Sequence, residues 1–367
     1  MNICYLLTRS DALGGVQVHI KHLAGRLLDE GHTVTIIVGG KGAYYELLEK
    51  EKFNVISLKY LKKNINILFD VLALIELYLC LKRIKPDLIS IHSSKAGVIG
   101  RLASSFLSVP SIFTAHGWAF TDGISKLKQE FYIVIERMMS HFCKRIITVS
   151  DYDLQLAIEK RISSKTKLSL VHNGMPEIED RLLDKDFSKL IKLVMVARFD
   201  HQKDHPTLID ALTKLKVNNW SLDLIGTGPH EANIKERVKA FGLQDKVNFI
   251  GQVEDVVPYL NKSQIFLLIS NWEGLPRSII EAMRSGLPIL ASDVAGVKEM
   301  VEDGKNGYLI PRNNSRVLAE KIEYLLYNQE DIEYMAKQSL SIYASSFTFE
   351  KTFQSTFKIY KQLVELA

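Results

Sequence analysis

The chain has 367 residues, more than one domain usually contains, because single cores rarely grow beyond about 250–300 residues. Its composition, 47% hydrophobic and 24% charged without low-complexity tracts, is ordinary for a soluble globular protein and excludes a fibrous or low-complexity chain. The formal net charge of +5 is carried by residues 1–180, which contain 23 Lys and Arg against 18 Asp and Glu. This excess favours an anionic partner, such as acidic lipid or a phosphate-bearing substrate, with a solvated basic surface as the alternative.

The cysteines and the apolar stretches indicate a cytoplasmic protein. Cys4, Cys80 and Cys143 are widely spaced without a CxxC pair, a pattern that does not suggest a disulfide framework or a zinc site. Cys4 and Cys80 stand in apolar runs that are typical of buried thiols. The first residues lack the basic start of a secretory signal. The longest apolar stretch, residues 65–81, is short for a membrane span and contains two carboxylates, so we expect a core helix.

Strand and helix patterns alternate through the first half of the chain. Residues 2–7 form a short apolar run, typical of a buried parallel strand. After Gly14 and Gly15, apolar residues recur at spacings of three and four, which predicts an amphipathic helix that ends at Gly31. Residues 33–38 are rich in β-branched side chains and complete a βαβ unit. Further strands are predicted at residues 88–92, 111–115 and 145–149.

A second set of strands follows, separated by helical segments, at residues 192–197, 221–225, 247–250, 265–269 and 288–291. One of the helices is predicted at residues 206–216, because Pro206 suits the first helical position. The charged segment 176–189 has no strand pattern and marks the boundary between the two sets. We therefore predict an α/β fold of two doubly wound domains.

The predicted domains are residues 1–175 and residues 176–345. The remaining segment, residues 346–367, contains a helix pattern at about 349–366 that follows a stretch with Ser and Thr. We expect this last helix to cross back to the first domain.

The block of residues 271–283 carries the strongest chemical signal. Glu273 and Glu281 are separated by seven residues, the first in a loop after a strand and the second one turn into a helix. Amides at a helix start have no partner within the helix and bind phosphate or sugar oxygens. Carboxylates accept hydrogen bonds from sugar hydroxyls. The alternative for Glu281 is a capping box in which it bonds back to the amide of Ser278. The loop after Glu273 comprises Gly274, Leu275 and Pro276.

Two further loops in the second half have the residue types of an anion site. Arg198 follows a strand and Lys203 precedes a helix, and loops at this edge of an α/β sheet are where ligands bind. Two fixed cations there suit a diphosphate, although solvated surface charges remain the alternative. Gly226 and Gly228 form a weaker signal, a GxG after a strand that permits close approach of backbone to a ligand. Pro229 departs from the dinucleotide fingerprint.

The first half offers fewer candidates. Gly14 and Gly15 lie between a strand and a helix, where their amides can face an anion or simply form a tight turn. His116 follows a strand and precedes a glycine, which favours a ligand-facing loop over a structural role. Asp151 and Asp153 form a D-x-D pair at a predicted helix start, where capping explains them better than a metal ion. We predict no metal site.

Together these motifs resemble the retaining glycosyltransferase family 4, which has the GT-B fold of two Rossmann-like domains that face an interdomain cleft. The resemblance covers nearly the whole chain, and the pair of glutamates with the Arg and Lys pair is its most specific part. The matching positions are Gly14-Gly15, Thr114 to Gly117, Val149-Ser150, His172 to Gly174, Arg198 with Lys203, Gly226 to Pro229, and Glu273 with Glu281.

The resemblance implies a role for each matching residue. The first domain would bind the acceptor and the second the sugar nucleotide. Arg198 and Lys203 would hold the diphosphate, and Glu273 would bind the hydroxyls of the donor sugar. His116 would lie beside the reacting carbon. Other donor contacts would come from Gly15, close to the diphosphate, from Gly274 and the amides after it, and from Glu281 at the ribose.

The resemblance also implies retention of configuration and activity without a bound metal or other cofactor. We therefore expect a hexosyltransferase that moves a hexose or N-acetylhexosamine, from UDP rather than GDP, to a glycan or polyprenyl-diphosphate-linked acceptor in bacterial surface-polysaccharide synthesis. The alternatives are a UDP-sugar epimerase of the same architecture, or a non-enzymatic peripheral membrane or glycan-binding protein. We expect no nucleic-acid partner. Contact with the cytoplasmic face of an anionic membrane is expected from the lysines and arginines at both ends of the apolar helix, Lys59, Lys62, Lys63, Lys82, Arg83 and Lys85.

Overall fold

The computed structural model describes residues 1–11, 13–121, 123–178 and 190–365. It divides into two compact units, the first made of Met1–His172 with Thr352–Ala367 and the second of Asn173–Lys351. These divisions lie a few residues from the expected ones at 175 and 345. The charged segment expected between the domains, residues 176–189, lies mostly outside the described residues.

The first unit is built on a parallel sheet of seven described strands in the order β3-β2-β1-β4-β5-β6-β7. The strands are β1 (Asn2–Leu7), β2 (Thr33–Gly39), β3 (Val55–Leu58), β4 (Leu88–His92), β5 (Ser111–Ala115), β6 (Arg145–Thr148) and β7 (Leu168–Leu170). The helices are α1 (Gly15–Asp29), α2 (Ala43–Lys50), α3 (Ile67–Ile84), α4 (Ser94–Phe106), α5 (Lys126–Ser140) and α6 (Asp151–Glu159). The central strands β1, β4 and β5 are almost wholly buried, as their apolar runs predict.

The second unit has a parallel sheet of six described strands in the order β10-β9-β8-β11-β12-β13. The strands are β8 (Ile191–Val196), β9 (Trp220–Ile225), β10 (Val247–Gly251), β11 (Ile265–Leu268), β12 (Ile289–Ser292) and β13 (Gly307–Ile310). The helices are α7 (His205–Leu212), α8 (Glu231–Ala240), α9 (Val257–Lys262), α10 (Arg277–Arg284), α11 (Ser315–Tyr327) and α12 (Gln329–Ser346). Pro206 lies in the first turn of α7, as predicted, but the helix ends four residues earlier than expected, at Leu212.

The last helix, α13 (Phe349–Glu365), returns to the first unit. Thr352 donates a hydrogen bond to the carbonyl of His172, and the hydroxyl of Tyr360 donates to Ser90 on β4. The buried face of α13 includes Phe353 and Phe357, so apolar packing fixes the helix as well. The predicted end of this helix at Leu366 lies outside the described residues.

Helix α3 differs from the prediction of a core helix. It buries only one face, which includes Leu77 and Leu81. Apolar side chains on the other face are exposed, among them Ile67, which retains 82% of its accessible surface. None of the helices in the described part of the chain is long and apolar enough to cross a bilayer.

The cysteines are free thiols. Cys4 is buried, as predicted, and burial raises its pKa to about 12. Cys80, also predicted to be buried, is only half-buried: it packs against the core from α3, and burial again raises its pKa. Cys143 is buried beside the sheet. Reactive thiolates are therefore not a feature of this fold.

Both sheets reverse their strand order at one point, between β1 and β4 in the first and between β8 and β11 in the second. Helices from the two directions diverge there, which opens a crevice at the carboxyl ends of the strands. Ligands of open α/β sheets bind in such crevices. The loops after β1, β4, β8 and β11 are therefore the places to look for a site.

Candidate functional site

The loops after β8 and β11 are tied together by their backbones. The amide of Asp204 donates to the carbonyl of Ile269 at 2.9 Å, and the amide of Asn271 donates to the carbonyl of Gln202 at 2.8 Å. Lys203 and Ser270 form an isolated antiparallel bridge between these contacts. The two loops that the sequence singled out are thus one rigid structure at the strand-order reversal.

Glu273 lies at the centre of this structure. The ammonium group of Lys203 forms an ion pair with Glu273 Oε1. Ser270 Oγ donates to the same oxygen at 2.6 Å, and Gln202 Nε2 lies 3.3 Å from Glu273 Oε2. The side chains of Glu273 and Lys203 are 5% and 11% exposed, so both charges are nearly removed from water.

The hydrogen-bonding capacity of this cluster is not exhausted. A carboxylate offers about four lone-pair sites, and three donors from the protein reach Glu273. An ammonium group has three protons, and among the described residues the acceptor for Lys203 is Glu273. Glu273 can therefore accept a further hydroxyl, while Lys203 can donate to a further anion.

Arg198 begins the same loop but is far more open. Its side chain is 70% exposed and its guanidinium pairs with Asp200 Oδ2 at 2.9 Å. Asp200 also accepts from the amide of Gln202, so this carboxylate belongs to the loop structure. The structure brings Lys203 and Glu273 together as predicted and holds Arg198 on the adjoining stretch of the loop, in contact with Asp200.

A stacked pair of aromatic rings stabilises the loop after β8. The rings of Phe199 and His205 stack with centroids 4.3 Å apart, and His205 Nδ1 lies 3.2 Å from the carbonyl of Lys203. Since that carbonyl can only accept, His205 Nδ1 carries a proton. Burial lowers the pKa of His205 to about 4, so the ring is neutral at physiological pH.

Gly226 and Gly228 serve the packing of this loop. A Cβ atom on Gly226 would lie 2.1 Å from the carbonyl oxygen of Ala197, and one on Gly228 would lie 2.4 Å from that of Phe199. Gly226 also has φ of +135°, which favours glycine. The predicted close approach is thus made to neighbouring backbone, and donor binding by the two glycines stays a prediction.

The capping-box alternative for Glu281 is wrong. Helix α10 begins at Arg277, the residue before it is Pro276, and no side chain caps this end, so Ser278 lies inside the first turn. Burial raises the pKa of Glu281, while the nearby Arg277 and Arg284 act in the opposite direction. Glu281 is therefore a half-buried carboxylate near two cations, and helix capping does not account for it.

Arg277 is a residue that the sequence analysis missed. Its two terminal guanidinium nitrogens are buried and have no hydrogen-bond partner among the described residues. Burial lowers the pKa of Arg277, and the charge of Glu281 opposes that effect. A buried guanidinium without acceptors is unfavourable, which makes Arg277 a candidate for binding an anion. Its position directly after Gly274-Leu275-Pro276 was the available signal.

In the first unit, Gly14 and Gly15 form the exposed start of α1. Gly14 precedes the helix in an extended conformation, and no side chain caps this end. The first amides of a helix have no partner within it and can bind an anion. A cavity of about 310 Å³ adjoins the start of α1, between the ends of β1 and β4, and its walls include Arg9, Lys63 and Lys95.

His116 belongs to a cluster of histidines at the ends of β4 and β5. His116 Nε2 lies 2.9 Å from His92 Nδ1, and the ring of His19 on α1 meets the His116 ring edge-on with centroids 5.3 Å apart. His92 and His19 are buried and His116 is half-buried. His92 and His19 are functional candidates that the sequence analysis did not identify, because nothing in their spacing links them to His116.

Asp151 and Asp153 are explained by helix capping, as predicted. Ser150 precedes α6 and accepts a hydrogen bond from the amide of Asp153 at 3.1 Å. Across the described ranges, no group of three or more His, Cys, Asp or Glu side chains has a metal-binding arrangement.

Two family models match the chain. Residues 13–177 match the model for glycosyltransferase family 4, and residues 183–341 match the model for glycosyl transferases group 1. Between them they span both units. The cluster of Lys203 and Glu273 lies in the second match, and His116 lies in the first.

Curated relatives include two proteins of Escherichia coli. An O-antigen biosynthesis glycosyltransferase, WbnH, is 29% identical over 94% of this chain and 98% of its own length. A UDP-Gal:alpha-D-GlcNAc-diphosphoundecaprenol alpha-1,3-galactosyltransferase is 28% identical over 69% of each chain.

Among solved structures, Anabaena Alr3699/HepE in complex with UDP has a TM-score of 0.85 and 20% identity over 99% of this chain and all of its own. Sucrose-phosphate synthase from Thermosynechococcus elongatus has a TM-score of 0.82 and 19% identity, with full coverage of both chains. At these identities the likeness shows the fold. With both family models matched and this fold, the chain belongs to glycosyltransferase family 4 and has the GT-B fold.

Proposed function

We propose that this enzyme transfers a hexose or N-acetylhexosamine from a UDP-sugar to a polyprenyl-diphosphate-linked glycan in bacterial surface-polysaccharide synthesis, with retention of configuration. The observation that carries the proposal is the contact between Lys203 and Glu273, a cation for the leaving diphosphate beside a carboxylate for the sugar. The named acceptor and donor of the galactosyltransferase relative support this choice of substrates.

The diphosphate is stabilised by cations and helix-end amides. Cleavage of the sugar–phosphate bond increases the negative charge of the leaving UDP. Lys203 and Arg198 donate to this charge, together with the first amides of α10 and the guanidinium of Arg277. Preorganised donors do here what a divalent ion does in other transferases, so the reaction proceeds without a metal.

Glu273 orients the donor sugar. Because Lys203, Ser270 and Gln202 hold the carboxylate, it can accept a sugar hydroxyl without first losing side-chain freedom. In the retaining reaction, an acceptor hydroxyl forms its bond to the sugar carbon on the face from which the phosphate leaves. The hydroxyl proton passes to the departing phosphate oxygen, and no covalent sugar–enzyme adduct forms.

The acceptor binds the first unit. The cavity between the ends of β1 and β4 has Arg9, Lys63 and Lys95 in its walls, which suits the diphosphate of a lipid-linked glycan. Arg9 and Lys95 are partly neutralised by Asp11 and Asp70, so Lys63 supplies the most available charge.

Lys63→Glu is expected to raise the KM for a lipid-linked acceptor about tenfold, with a small effect on UDP binding.

The enzyme approaches this acceptor through a membrane-facing surface formed by α3 and α5. Both helices pack against α4 and expose apolar stripes, Ile67, Leu68, Val71, Ile75 and Leu79 on α3 and Leu127, Phe131, Val134 and Met138 on α5. Lys62 and Lys63 precede α3, and Lys126 and Lys128 begin α5. Apolar side chains bordered by lysines suit the interface of an anionic cytoplasmic leaflet, where each lysine contributes about 1 kcal/mol.

Transfer in the presence of EDTA tests the proposal. The purified enzyme is incubated with UDP- and GDP-sugars and a polyprenyl-diphosphate-linked N-acetylglucosamine, and the anomeric configuration of the product is read by NMR. We expect an α-linked product from a UDP-sugar, made only when acceptor is present. A reaction that modifies the donor sugar without acceptor would indicate an epimerase, and no turnover of any donor would contradict the proposal.

A further inference from the structure

A chain of hydrogen-bonded side chains leads from the last helix of the protein to His116. Tyr360 Oη on α13 lies 2.8 Å from Ser90 Oγ and 3.4 Å from Tyr5 Oη. Ser90 Oγ lies 3.0 Å from His92 Nε2, and His92 Nδ1 lies 2.9 Å from His116 Nε2. All of these side chains except His116 are at most 1% exposed. Solvent therefore does not compete for the hydrogen bonds among the four buried side chains.

The direction of donation follows from the number of protons. Tyr360 donates its single hydroxyl proton across the shorter of its two contacts, to Ser90. Ser90 then has its own proton for its other partner, His92 Nε2. If Ser90 accepted from both neighbours, its buried proton would have no acceptor among the described residues, which is unfavourable. His92 Nε2 is therefore an acceptor.

The proton of His92 determines which hydrogen bond His116 receives. Burial lowers the pKa of His92 well below its usual range, so His92 is neutral. A neutral imidazole has one N–H, which must be on Nδ1 when Nε2 accepts. His92 consequently donates from Nδ1 to His116 Nε2.

We propose that Tyr360, Ser90 and His92 are positioning residues that hold His116 Nε2 as an acceptor and the proton of the neutral His116 ring on Nδ1. The edge-on ring of His19 keeps the His116 ring in this orientation. The consequence for catalysis rests on the proposed function: His116 is a hydrogen-bond donor to the substrates and not their general base. The proton of the acceptor hydroxyl is then left to the departing phosphate.

The tautomer can be observed without any substrate. Long-range ¹H–¹⁵N NMR spectra of histidine-labelled protein distinguish protonated from unprotonated ring nitrogens, and a His116→Gln variant identifies the signals of His116. Ser90→Ala removes the donor to His92, and Tyr360→Phe removes the donor to Ser90. Tyr343→Phe is the matched control, since it deletes another buried tyrosine hydroxyl, which donates to the Met175 carbonyl at 2.9 Å in the second unit.

We expect Nδ1–H on His116 in the unaltered protein and in Tyr343→Phe. In Ser90→Ala and Tyr360→Phe, the ratio of the His116 tautomers should move toward Nε2–H by about two- to tenfold, the effect of one net hydrogen bond. If Ser90→Ala does not fold, Tyr360→Phe decides alone. A proton on His116 Nε2 in the unaltered protein, or equal spectra for Tyr360→Phe and Tyr343→Phe, would overturn the proposal. Failure of sugar transfer would leave this result standing.

Discussion

Lys203 has two roles in this account, as the partner of Glu273 and as a ligand for the diphosphate, and two variants separate them. Lys203→Met leaves the carboxylate of Glu273, which is 5% exposed, with Ser270 and Gln202 as its donors. Breaking a buried pair from one side costs about 3–5 kcal/mol, and the remaining donors place this case near the lower limit. The double variant Lys203→Met/Glu273→Gln removes both charges and should regain most of that stability.

Binding of UDP follows a different pattern. UDP carries the diphosphate but no transferred sugar, so the expected contact of Glu273 with the sugar does not enter. Loss of a charged hydrogen bond of about 1.5–3 kcal/mol should weaken UDP binding roughly 10- to 150-fold in both variants. Urea unfolding and calorimetric titration with UDP in EDTA measure the two effects separately. UDP affinity in the double variant within twofold of the unaltered protein would refute a diphosphate role for Lys203.

Three further variants test other parts of the site. Arg277→Gln should leave the free energy of unfolding equal or higher, because the two terminal guanidinium nitrogens have no hydrogen-bond partner within the described residues. The same variant should weaken UDP binding at least tenfold by calorimetry, and unchanged affinity would make Arg277 a structural residue. Gly226→Ala should lower the free energy of unfolding in urea by more than about 3 kcal/mol, because the added methyl group would clash with backbone. Gly251 also has a positive φ, of +82°, but open space around it, so Gly251→Ala should lower the free energy of unfolding only by the backbone strain of about 1–2 kcal/mol. Equal effects of the two variants would contradict the close packing at Gly226. His205 has a pKa of about 4 in the folded protein and about 6.5 in the unfolded chain, so the unfolded chain binds the proton more readily. The neutral ring therefore adds up to about 3 kcal/mol to the free energy of unfolding above pH 6.5, and this stabilisation is lost as the pH falls toward 4. His205→Asn should flatten the dependence of the unfolding free energy on pH between about 4 and 6.5, and an unchanged slope would contradict this assignment.

The sequence predicts the central strands well because they are buried on both faces. β4 and β5 have the predicted bounds, since their apolar runs end abruptly at polar or glycine-containing loops. The three strands that were not predicted, β3, β7 and β13, are all at sheet edges and have three or four residues. Half-buried strands this short leave too little periodicity to distinguish them from loops.

The site was predictable where strand order alone brings residues together. Lys203 and Glu273 follow neighbouring strands, so their approach required only the parallel sheet. The partners that hold them, Ser270 and Gln202, depend on the exact path of each loop and have no sequence signal. The same limit applies more strongly to Tyr360, which meets Ser90 across 270 residues of chain.

A crystal structure of the enzyme with UDP in the presence of EDTA tests the central claim most directly. We predict that diphosphate oxygens lie about 2.7–3.2 Å from Lys203 Nζ and from the guanidinium of Arg198, with no metal ion between them. The uracil nucleotide should extend along the start of α10 toward Glu281. A diphosphate bound away from the loops after β8 and β11, or one held only through a divalent ion, would contradict the account.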